Sequence, residues 1–504
     1  MENNSDKSTA SGYFKKAVYV FFALSALWAI ISLFKRPTAA LFDLLNDAKI
    51  TNAYRPGSAT APLYFMQNTV HKSAEYVIKD LFLSDVSGMI YNLASYKGLF
   101  VFKTLLCAFF IFLAVKYIHP ATGFLKKILF MSIILISSQG MFMDINYVSS
   151  AIILLIILKL YAFVDVSDCN KLMFQLSFIV YAVFLTFLDA RFFIIALMIY
   201  VFGSYPVSRL IRGVSLAPVL TLIVAIILSC AGPYRYKAPF YSLYSIKAWL
   251  YDSRHTPFTP SSILSLQGIF LFFVIICVMI LIKYSTDDHS LYSKILISFM
   301  GCILLFVSKE LLWLSVLLCY PLLNDFFLLL EGIYPESEIF KSVQKGNEDK
   351  KKVPGKHVRN IIFCLLPAAA YACFLIFRFD TFYLDDSVYM PSAGVTHVVS
   401  NGTSPRVLTD AKTGSFVSFS GCDVYFDDRY ELYMRPLNNS RNILSEYIEF
   451  ETNPDVYTEE LQSIYDFDYA LLSSDSYPYM YLKGSPLYTE VFAGNGYSVF
   501  KMKK

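Results

Sequence analysis

Long apolar runs separated by short polar segments fill the first 379 residues of the chain. A bilayer core about 30 Å thick is crossed by about 20 apolar helical residues. Several runs are shorter than this, and the stretch 128–204 can be divided in other ways. The pattern predicts a bundle of about eleven transmembrane helices, at 17–34, 99–118, 128–140, 146–164, 172–188, 192–204, 213–231, 263–283, 294–308, 311–331 and 360–378.

The positions of lysine and arginine predict how this bundle is oriented. Lys15 and Lys16 precede the first run, and Lys35 and Arg36 follow it where a signal peptide carries small residues, so we expect an uncleaved helix. Basic residues then recur at every second connection, and basic loops stay in the cytoplasm. This pattern places the N-terminus inside. Because the number of crossings is odd, the C-terminus is then outside.

The expected domain organisation follows from this topology. Residues 1–16 form a cytoplasmic N-terminus, and 17–379 form a transmembrane domain with long outer loops at 35–98 and 232–262. Residues 380–504 form an extracytoplasmic domain. The fold class is therefore mainly α, a polytopic transmembrane helix bundle with a C-terminal α+β domain.

The α+β prediction for the terminal domain comes from short stretches in which apolar and polar residues alternate. A domain of this size can hold its own core. Helices are expected at 439–450 and 458–466, the second with Thr458 as its N-cap. Strands are expected at 406–410, 415–419, 423–426, 468–472, 488–492 and 497–501.

Composition supports two bodies of different character. Hydrophobic residues make up 56% and charged residues 16% of the chain, against about 25% charged residues in soluble proteins. From residue 380 onward the chain has 18 acidic and 9 basic residues, a net charge of −9. The first 379 residues have 34 basic and 21 acidic residues, a net charge of +13. The nine cysteines have no metal-site spacing. We expect no nucleic-acid partner.

Ionisable residues at the outer edges of the predicted helices are the candidate functional groups, because charge at membrane depth is expensive. Asp43 and Asp47 follow the first run. The second outer loop carries four cationic or titratable groups: Arg235, Lys237, Arg254 and His255. Shorter outer turns add secondary candidates, Asp144, Asp189, Arg191 and Lys309. A simpler role is open for each: the cations can reach lipid headgroups, and Asp189 and Arg191 can neutralise each other.

A carboxylate beside several cations suits one chemistry in particular. The cations hold a phosphate, and the carboxylate accepts a proton from an attacking hydroxyl group. We assign Asp43 as the catalytic base or the acceptor-positioning carboxylate, with Asp47 as the second candidate, and Arg235, Lys237, Arg254 and His255 as the donor-phosphate group. Carboxylates serve equally as a bare base or as ligands, so no cofactor is assigned and a divalent metal stays open.

Three stretches carry a resemblance to a known family. They are FDLLNDAKI at 42–50, GPYRYKAPFYSLYSI at 232–246 and VLTDAKTGSFVSFSGCDVYFDDRYELY at 407–433. They resemble the GT-C superfamily of integral membrane glycosyltransferases, in its bacterial protein-mannosyltransferase-like and lipopolysaccharide-core-glycosyltransferase-like branch. The resemblance implies a polyprenyl-phosphate-linked sugar donor, membrane lipid around the helices, and an envelope glycan or protein as acceptor. It also implies a multi-pass protein of the plasma membrane.

Two other functions remain open. Some positions of the family pattern carry other residues, for example Leu44, Leu45 and Asn46 beside Asp43. A catalytically inactive envelope scaffold that binds a glycan or protein partner is therefore the alternative, and retained binding of the donor lipid would speak against it. A transporter or flippase ranks third, because the sequence shows neither repeat symmetry nor charges near the bilayer midplane.

Overall fold

The protein is described by a computed structural model. It describes thirteen stretches of the chain, 38–54, 60–62, 75–77, 80–162, 172–204, 216–230, 237–251, 265–284, 289–333, 335, 386–400, 404–438 and 441–502. The predicted runs at 17–34 and 360–378 lie outside the described residues. The total of about eleven crossings and the orientation of both termini therefore stay predictions.

Helices dominate the described part of the chain up to residue 335. They are α1 (Ala39–Tyr54), α2 (Leu81–Tyr117), α3 (Phe124–Ser137), α4 (Gln139–Met143), α5 (Ile145–Ala162), α6 (Leu172–Asp189), α7 (Phe193–Ser204), α8 (Leu216–Cys230), α9 (Ala238–Trp249), α10 (Leu266–Tyr284), α11 (His289–Val307) and α12 (Leu312–Ile333). Short 3-10 turns at Ala190–Phe192 and Lys309–Leu311 join α6 to α7 and α11 to α12. Between α1 and α2, strands β1 (Thr60–Pro62) and β2 (Glu75–Val77) pair antiparallel.

Among the described residues, five segments are long and apolar enough to cross a membrane: Leu81–Tyr117, Leu172–Gly203, Leu266–Tyr284, Ser290–Val307 and Lys309–Ile333. Two shorter apolar helices lie at Ile145–Leu160 and Pro218–Cys230. Large apolar side chains on these helices are exposed, as expected of surfaces that face lipid chains. The chain is therefore a membrane protein.

Helix α12 forms the centre of the bundle. Its side chains are buried almost all round, and it packs against α3, α5, α10 and α11. A helix that is apolar on every face belongs in such a position. The backbones of α11 and α12 approach closely at Gly301, where a Cβ atom would lie 3.0 Å from the carbonyl oxygen of Ser315. The Ser315 hydroxyl donates to the Gly301 carbonyl at 2.7 Å, which fixes the pair.

The predicted outer loop 35–98 contains more helix than its polar composition indicates. Helix α1 occupies its beginning, and α2 starts at Leu81, well before the apolar run at 99–118. A break at Ser95, with φ 54° and ψ −151°, divides α2 into an outer part and a membrane part. The polar residues of this segment suggest an exposed loop, but α1 is a helix that packs against the terminal domain.

The terminal domain is built on a five-stranded sheet with the strand order β4-β3-β5-β7-β6. Strands β3 (Arg406–Thr409), β4 (Asp423–Val424) and β5 (Tyr469–Ser473) are parallel, whereas β6 (Thr489–Ala493) and β7 (Tyr497–Lys501) add antiparallel pairs. The helices around the sheet are α13 (Ser392–Val399), α14 (Gly414–Phe419), α15 (Arg435–Asn438), α16 (Ile443–Thr452), α17 (Pro454–Tyr465) and α18 (Tyr477–Gly484). A 3-10 turn at Tyr430–Tyr433 precedes α15.

Two local predictions in this domain are wrong. The segment 415–419 is the helix α14, not a strand. Its apolar residues at 416, 417 and 419 fit a helical period as well as an alternating one, and α14 packs on α1. Thr458 lies inside α17, which begins four residues earlier at Pro454, and its hydroxyl donates to the Pro454 carbonyl at 2.5 Å.

A buried polar network joins the loops at the carboxyl ends of β3 and β5. The Asp410 carboxylate accepts hydrogen bonds from the Thr413 hydroxyl at 3.0 Å and from the Ser473 hydroxyl at 2.5 Å. Beside it, the Tyr447 hydroxyl donates to Glu451 at 2.8 Å. Burial, followed by the negative charge of Asp410, raises the pKa of Glu451 to about 7. Glu451 therefore keeps its proton in the folded domain at mildly acidic pH.

This shift predicts that Glu451 makes the terminal domain less stable as pH rises. Between pH 4.5 and 7 the folded state keeps a proton that the unfolded chain has lost, so the free energy of unfolding falls through this window. Glu451→Gln stays neutral and retains an oxygen for Tyr447. We expect this variant to lose the fall and to gain about 1–3 kcal/mol over wild type at pH 7.5.

The measurement is a denaturant titration at pH 5 and pH 7.5, with thiol labelling of the buried Cys422 as the readout of domain opening. Glu449→Gln, an exposed glutamate on the same helix, is the matched control and should follow wild type. Equal pH dependence in Glu451→Gln and wild type would contradict the assignment.

Candidate active site

Asp43 and Asp47 lie on one face of α1. They are four residues apart, which is about one helical turn, so both carboxylates project to the same side. The apolar neighbours Phe42 and Leu45 belong to a core cluster with Met390 and other residues of the terminal domain. Asp43 and Asp47 are only 3% and 1% exposed. Two buried carboxylates on one face require positive charge from another part of the chain.

Arg429 of the terminal domain supplies this charge. Its Nη1 donates to Asp47 Oδ1 at 2.5 Å, while its Nε lies 3.7 Å from Asp43 Oδ1. The other edge of the guanidinium is held by Asp427, through Nη2 at 2.5 Å and Nε at 3.1 and 3.2 Å. Three carboxylates thus surround one guanidinium that is itself 4% exposed.

The segment that carries Arg429 is fixed in turn by hydrogen bonds and close packing. Tyr433, at the end of the 3-10 turn, is hydrogen-bonded to Asp427, and burial together with the charge of Asp427 raises the pKa of its hydroxyl well above the usual value. Gly414 allows close approach behind this segment, since a Cβ atom there would lie 2.0 Å from the Phe426 carbonyl oxygen. The position of Arg429 is therefore determined by the core of the terminal domain.

Helices α1 and α14 form the contact that brings the two parts together. The rings of Phe42 and Phe416 meet edge to face with their centroids 4.8 Å apart. The Asn46 amide donates to the Ser418 hydroxyl at 2.5 Å, and Lys49 Nζ donates to the Phe419 carbonyl at 2.6 Å. The carboxylate face of α1 is thus covered by the terminal domain along about two turns.

A second charged group lies where α6 meets α7. Arg191 binds Asp189 through Nε at 2.8 and 3.0 Å and through Nη2 at 2.6 Å. Its guanidinium carbon also lies 5.1 Å from the ring centroid of Tyr147. Asp189 and Arg191 thus form an ion pair within one turn, the simpler role that the sequence left open for them. Arg191 is already bound and largely covered, which makes it a weak candidate for holding a phosphate.

Helix α9 connects this second group to the terminal domain. The hydroxyl of Tyr241 faces Glu431 at 3.4 Å, and the hydroxyl of Ser242 donates to the Ala190 carbonyl at 3.0 Å. Glu431 follows Arg429 by two residues, so the segment of the terminal domain that carries Arg429 also contacts α9. Lys237 lies immediately before α9, and burial lowers the pKa of its ammonium group.

The remaining predicted residues are distributed over the outer turns. Asp144 accepts a hydrogen bond from the Thr38 hydroxyl at 3.0 Å, which ties the end of α4 to the start of α1. Lys309 lies in the turn before α12, next to Glu310, whose carboxylate is close to Gly140 on α4. Three predicted donor-phosphate residues lie outside the described residues: Arg235, Arg254 and His255.

The sequence alone does not identify Asp427, Arg429 or Glu431 as site residues. They lie within the family-like stretch 407–433. One available signal was charge balance, because two acidic residues on a helix with apolar neighbours need a buried cation, and arginine is the usual partner. Nothing in the sequence indicates which of the terminal-domain arginines it is.

A divalent metal finds no prepared site in the part of the chain that the structure describes. No three histidine, cysteine, aspartate or glutamate side chains there are placed to hold an ion. The carboxylates of Asp43, Asp47 and Asp427 approach one another, but the guanidinium of Arg429 occupies the space between them. The donors present therefore do not fit a metal ion in this arrangement.

Comparison with known proteins identifies a related fold. The archaeal oligosaccharyltransferase AglB from Archaeoglobus fulgidus, solved in complex with an inhibitory peptide and a dolichol-phosphate, is similar with a TM-score of 0.58. The chain shares its fold with a membrane oligosaccharyltransferase. The alignment covers 92% of this chain and 70% of AglB at 11% sequence identity, so the likeness concerns the fold alone. No protein-family model and no curated protein matches the sequence.

The geometry predicts that Asp47 is needed for docking of the terminal domain. Asp47→Ala removes the closest α1 partner of Arg429 and should destabilise the docked state by about 2–4 kcal/mol, because a buried charge loses its pair. Lys49→Ala is the matched control on the same helix. It removes a lysine hydrogen bond at the rim and should lose about 1 kcal/mol or less.

Hydrogen exchange of α1 and α14 in the purified full-length protein measures this difference. Faster exchange of both helices in Asp47→Ala than in Lys49→Ala is expected. The same protection in the two variants would contradict the role assigned to Asp47.

Proposed function

We propose that this protein is a glycosyltransferase of the plasma membrane that uses a polyprenyl-phosphate-linked sugar at the outer face. The acceptor in this proposal is an envelope glycan or protein. The fold shared with a membrane oligosaccharyltransferase supports it, and that neighbour was solved with a dolichol-phosphate and a peptide. The observation that carries the proposal is the meeting of Asp43, Asp47 and Arg429 between the first outer helix and the terminal domain.

Asp43 is the better of the two candidate bases. Asp47 binds Arg429 directly at 2.5 Å, so its carboxylate is already engaged by a cation. Asp43 lies 3.7 Å from the same guanidinium, beyond a normal hydrogen-bond distance. In the proposed reaction Asp43 accepts the proton of the attacking acceptor group while that group bonds to the sugar and the polyprenyl phosphate leaves.

The departing phosphate needs positive charge, and Lys237 is the described residue best placed to supply it. It precedes α9, which also contacts the turn between α6 and α7 through the hydrogen bond of Ser242 to the Ala190 carbonyl. Arg235, Arg254 and His255 complete the proposed phosphate group. Exposed apolar residues on α9 and directly after it, among them Phe240, Leu243 and Leu250, offer a surface along which a polyprenyl chain can lie.

A non-enzymatic envelope scaffold is the second candidate, and one observation favours it. Asp47 and Asp427 are both neutralised by Arg429, and the whole group is covered. In this alternative the group has a structural role alone, which is to attach the terminal domain to the membrane part. In that case the protein binds a glycan or protein partner without transferring a sugar.

Substitution of Asp43 distinguishes the two functions. Asp43→Asn should lower sugar transfer from a polyprenyl-phosphate donor to envelope acceptors by about 100-fold or more, because a general base contributes about 10²–10⁴. Binding of the donor should persist. Asp466→Asn, an exposed carboxylate of the terminal domain, is the control and should keep wild-type turnover. Wild-type turnover in Asp43→Asn would eliminate the role of this residue.

The phosphate assignment is tested separately by binding. Lys237→Ala should weaken the binding of a polyprenyl phosphate by about 10-fold, the loss expected for one charge-assisted hydrogen bond. Lys247→Ala removes an exposed lysine of the same helix and should bind as wild type does. Equal loss in both variants indicates nonspecific attraction to the headgroup. No saturable binding by the wild-type protein would favour the scaffold.

A further inference from the structure

The arrangement around Arg429 has the form of a cation site that is filled by a side chain. Two carboxylates come from α1 and one from the segment after β4. All three are almost completely buried. Carboxylates gathered in this way repel one another and require a positive charge at the centre, which either a divalent ion or a cationic side chain can supply.

The guanidinium satisfies this requirement through its shape as well as its charge. Nη1 points to Asp47, Nη2 and Nε hold Asp427, and Asp43 lies beside Nε. A planar fork reaches several carboxylates at once, which an ammonium group does not. A Mg²⁺ ion instead needs its ligand oxygens at about 2.0–2.1 Å from one point. The same three carboxylates therefore cannot hold the guanidinium and a metal ion at once.

We propose that Arg429 is the resident cation of this site and replaces a divalent metal ion among Asp43, Asp47 and Asp427. The terminal domain thereby supplies the positive charge that orients the α1 carboxylates, and the site is complete only while that domain is docked. As an account of catalysis this rests on the proposed function. Arg429 is then a positioning residue, because it acts on the reaction through Asp43.

Removal of the guanidinium should leave a centre of negative charge that a divalent ion can then enter. Three buried carboxylates without a counter-charge attract a divalent ion strongly. Arg429→Met keeps an unbranched side chain but removes the guanidinium, so the space among the carboxylates becomes free and carries no positive charge. We expect Arg429→Met to bind one Mn²⁺ per chain at least 10-fold more tightly than wild type. The double variant Arg429→Met with Asp47→Asn loses a ligand and should return to the wild-type level.

The experiment is an Mn²⁺ titration of the purified full-length protein, followed by electron paramagnetic resonance. Arg406→Met is the matched control, since this arginine of the same domain faces a single carboxylate, Asp466, at 3.8 Å. It should bind Mn²⁺ as wild type does. Hydrogen exchange of α1 and α14 reports whether the domain is docked, and Mn²⁺ should restore protection in Arg429→Met.

Two results would overturn the proposal. One is saturable Mn²⁺ binding by the wild-type protein that disappears in Asp47→Asn, a test that does not depend on the folding of any arginine variant. The other is a docked Arg429→Met protein without tighter Mn²⁺ binding. Neither measurement requires sugar transfer, so the resident-cation role can fail while the proposed function stands, and the reverse.

Discussion

The contact between Arg429 and the carboxylates of α1 is the interaction on which the rest of the structure depends. Asp47 and Arg429 are separated by 382 positions in the sequence, yet their side chains meet at 2.5 Å in a covered site. Neither charge is tolerable there without the other, because a buried charge that lacks a partner is strongly destabilising. The apolar contact of α1 with α14 brings the two parts together, and the ion pairs restrict them to one orientation.

Much of the membrane part could be predicted from the sequence. Apolar runs of sufficient length identify the spanning helices, because the bilayer imposes both length and composition. Asp43 and Asp47 could be singled out because acidic residues beside an apolar run are expensive. Their cationic partner could not be predicted from the sequence. Arg429 belongs to a polar domain, and nothing in its local sequence distinguishes this arginine, which the fold buries, from the other arginines of the domain.

The errors in the terminal domain have a similar origin. The segment 415–419 has apolar residues that satisfy both a strand and a helix period, and the choice is made by tertiary contacts. Gly414 must lie against the Phe426 carbonyl, and Phe416 must reach Phe42 on α1. Both requirements act between residues that are distant in the sequence. Local pattern therefore identified β3, β5, β6 and β7, which are held within the sheet, but not the helix that makes the interdomain contact.

The two charged groups make different connections in the structure. Asp189 and Arg191 neutralise each other within one turn and attach α9 to the membrane helices. Asp43, Asp47 and Arg429 join two parts of the molecule.

A double-mutant cycle between Asp47→Asn and Arg429→Gln tests the central claim most directly. The docking free energy is measured in wild type, both single variants and the double variant, from hydrogen exchange of α1 and α14. A direct buried ion pair predicts that the losses are non-additive by about 1–3 kcal/mol. Additive losses would show that the two residues do not act on each other, and the account of a single site shared by the two parts of the chain would be wrong.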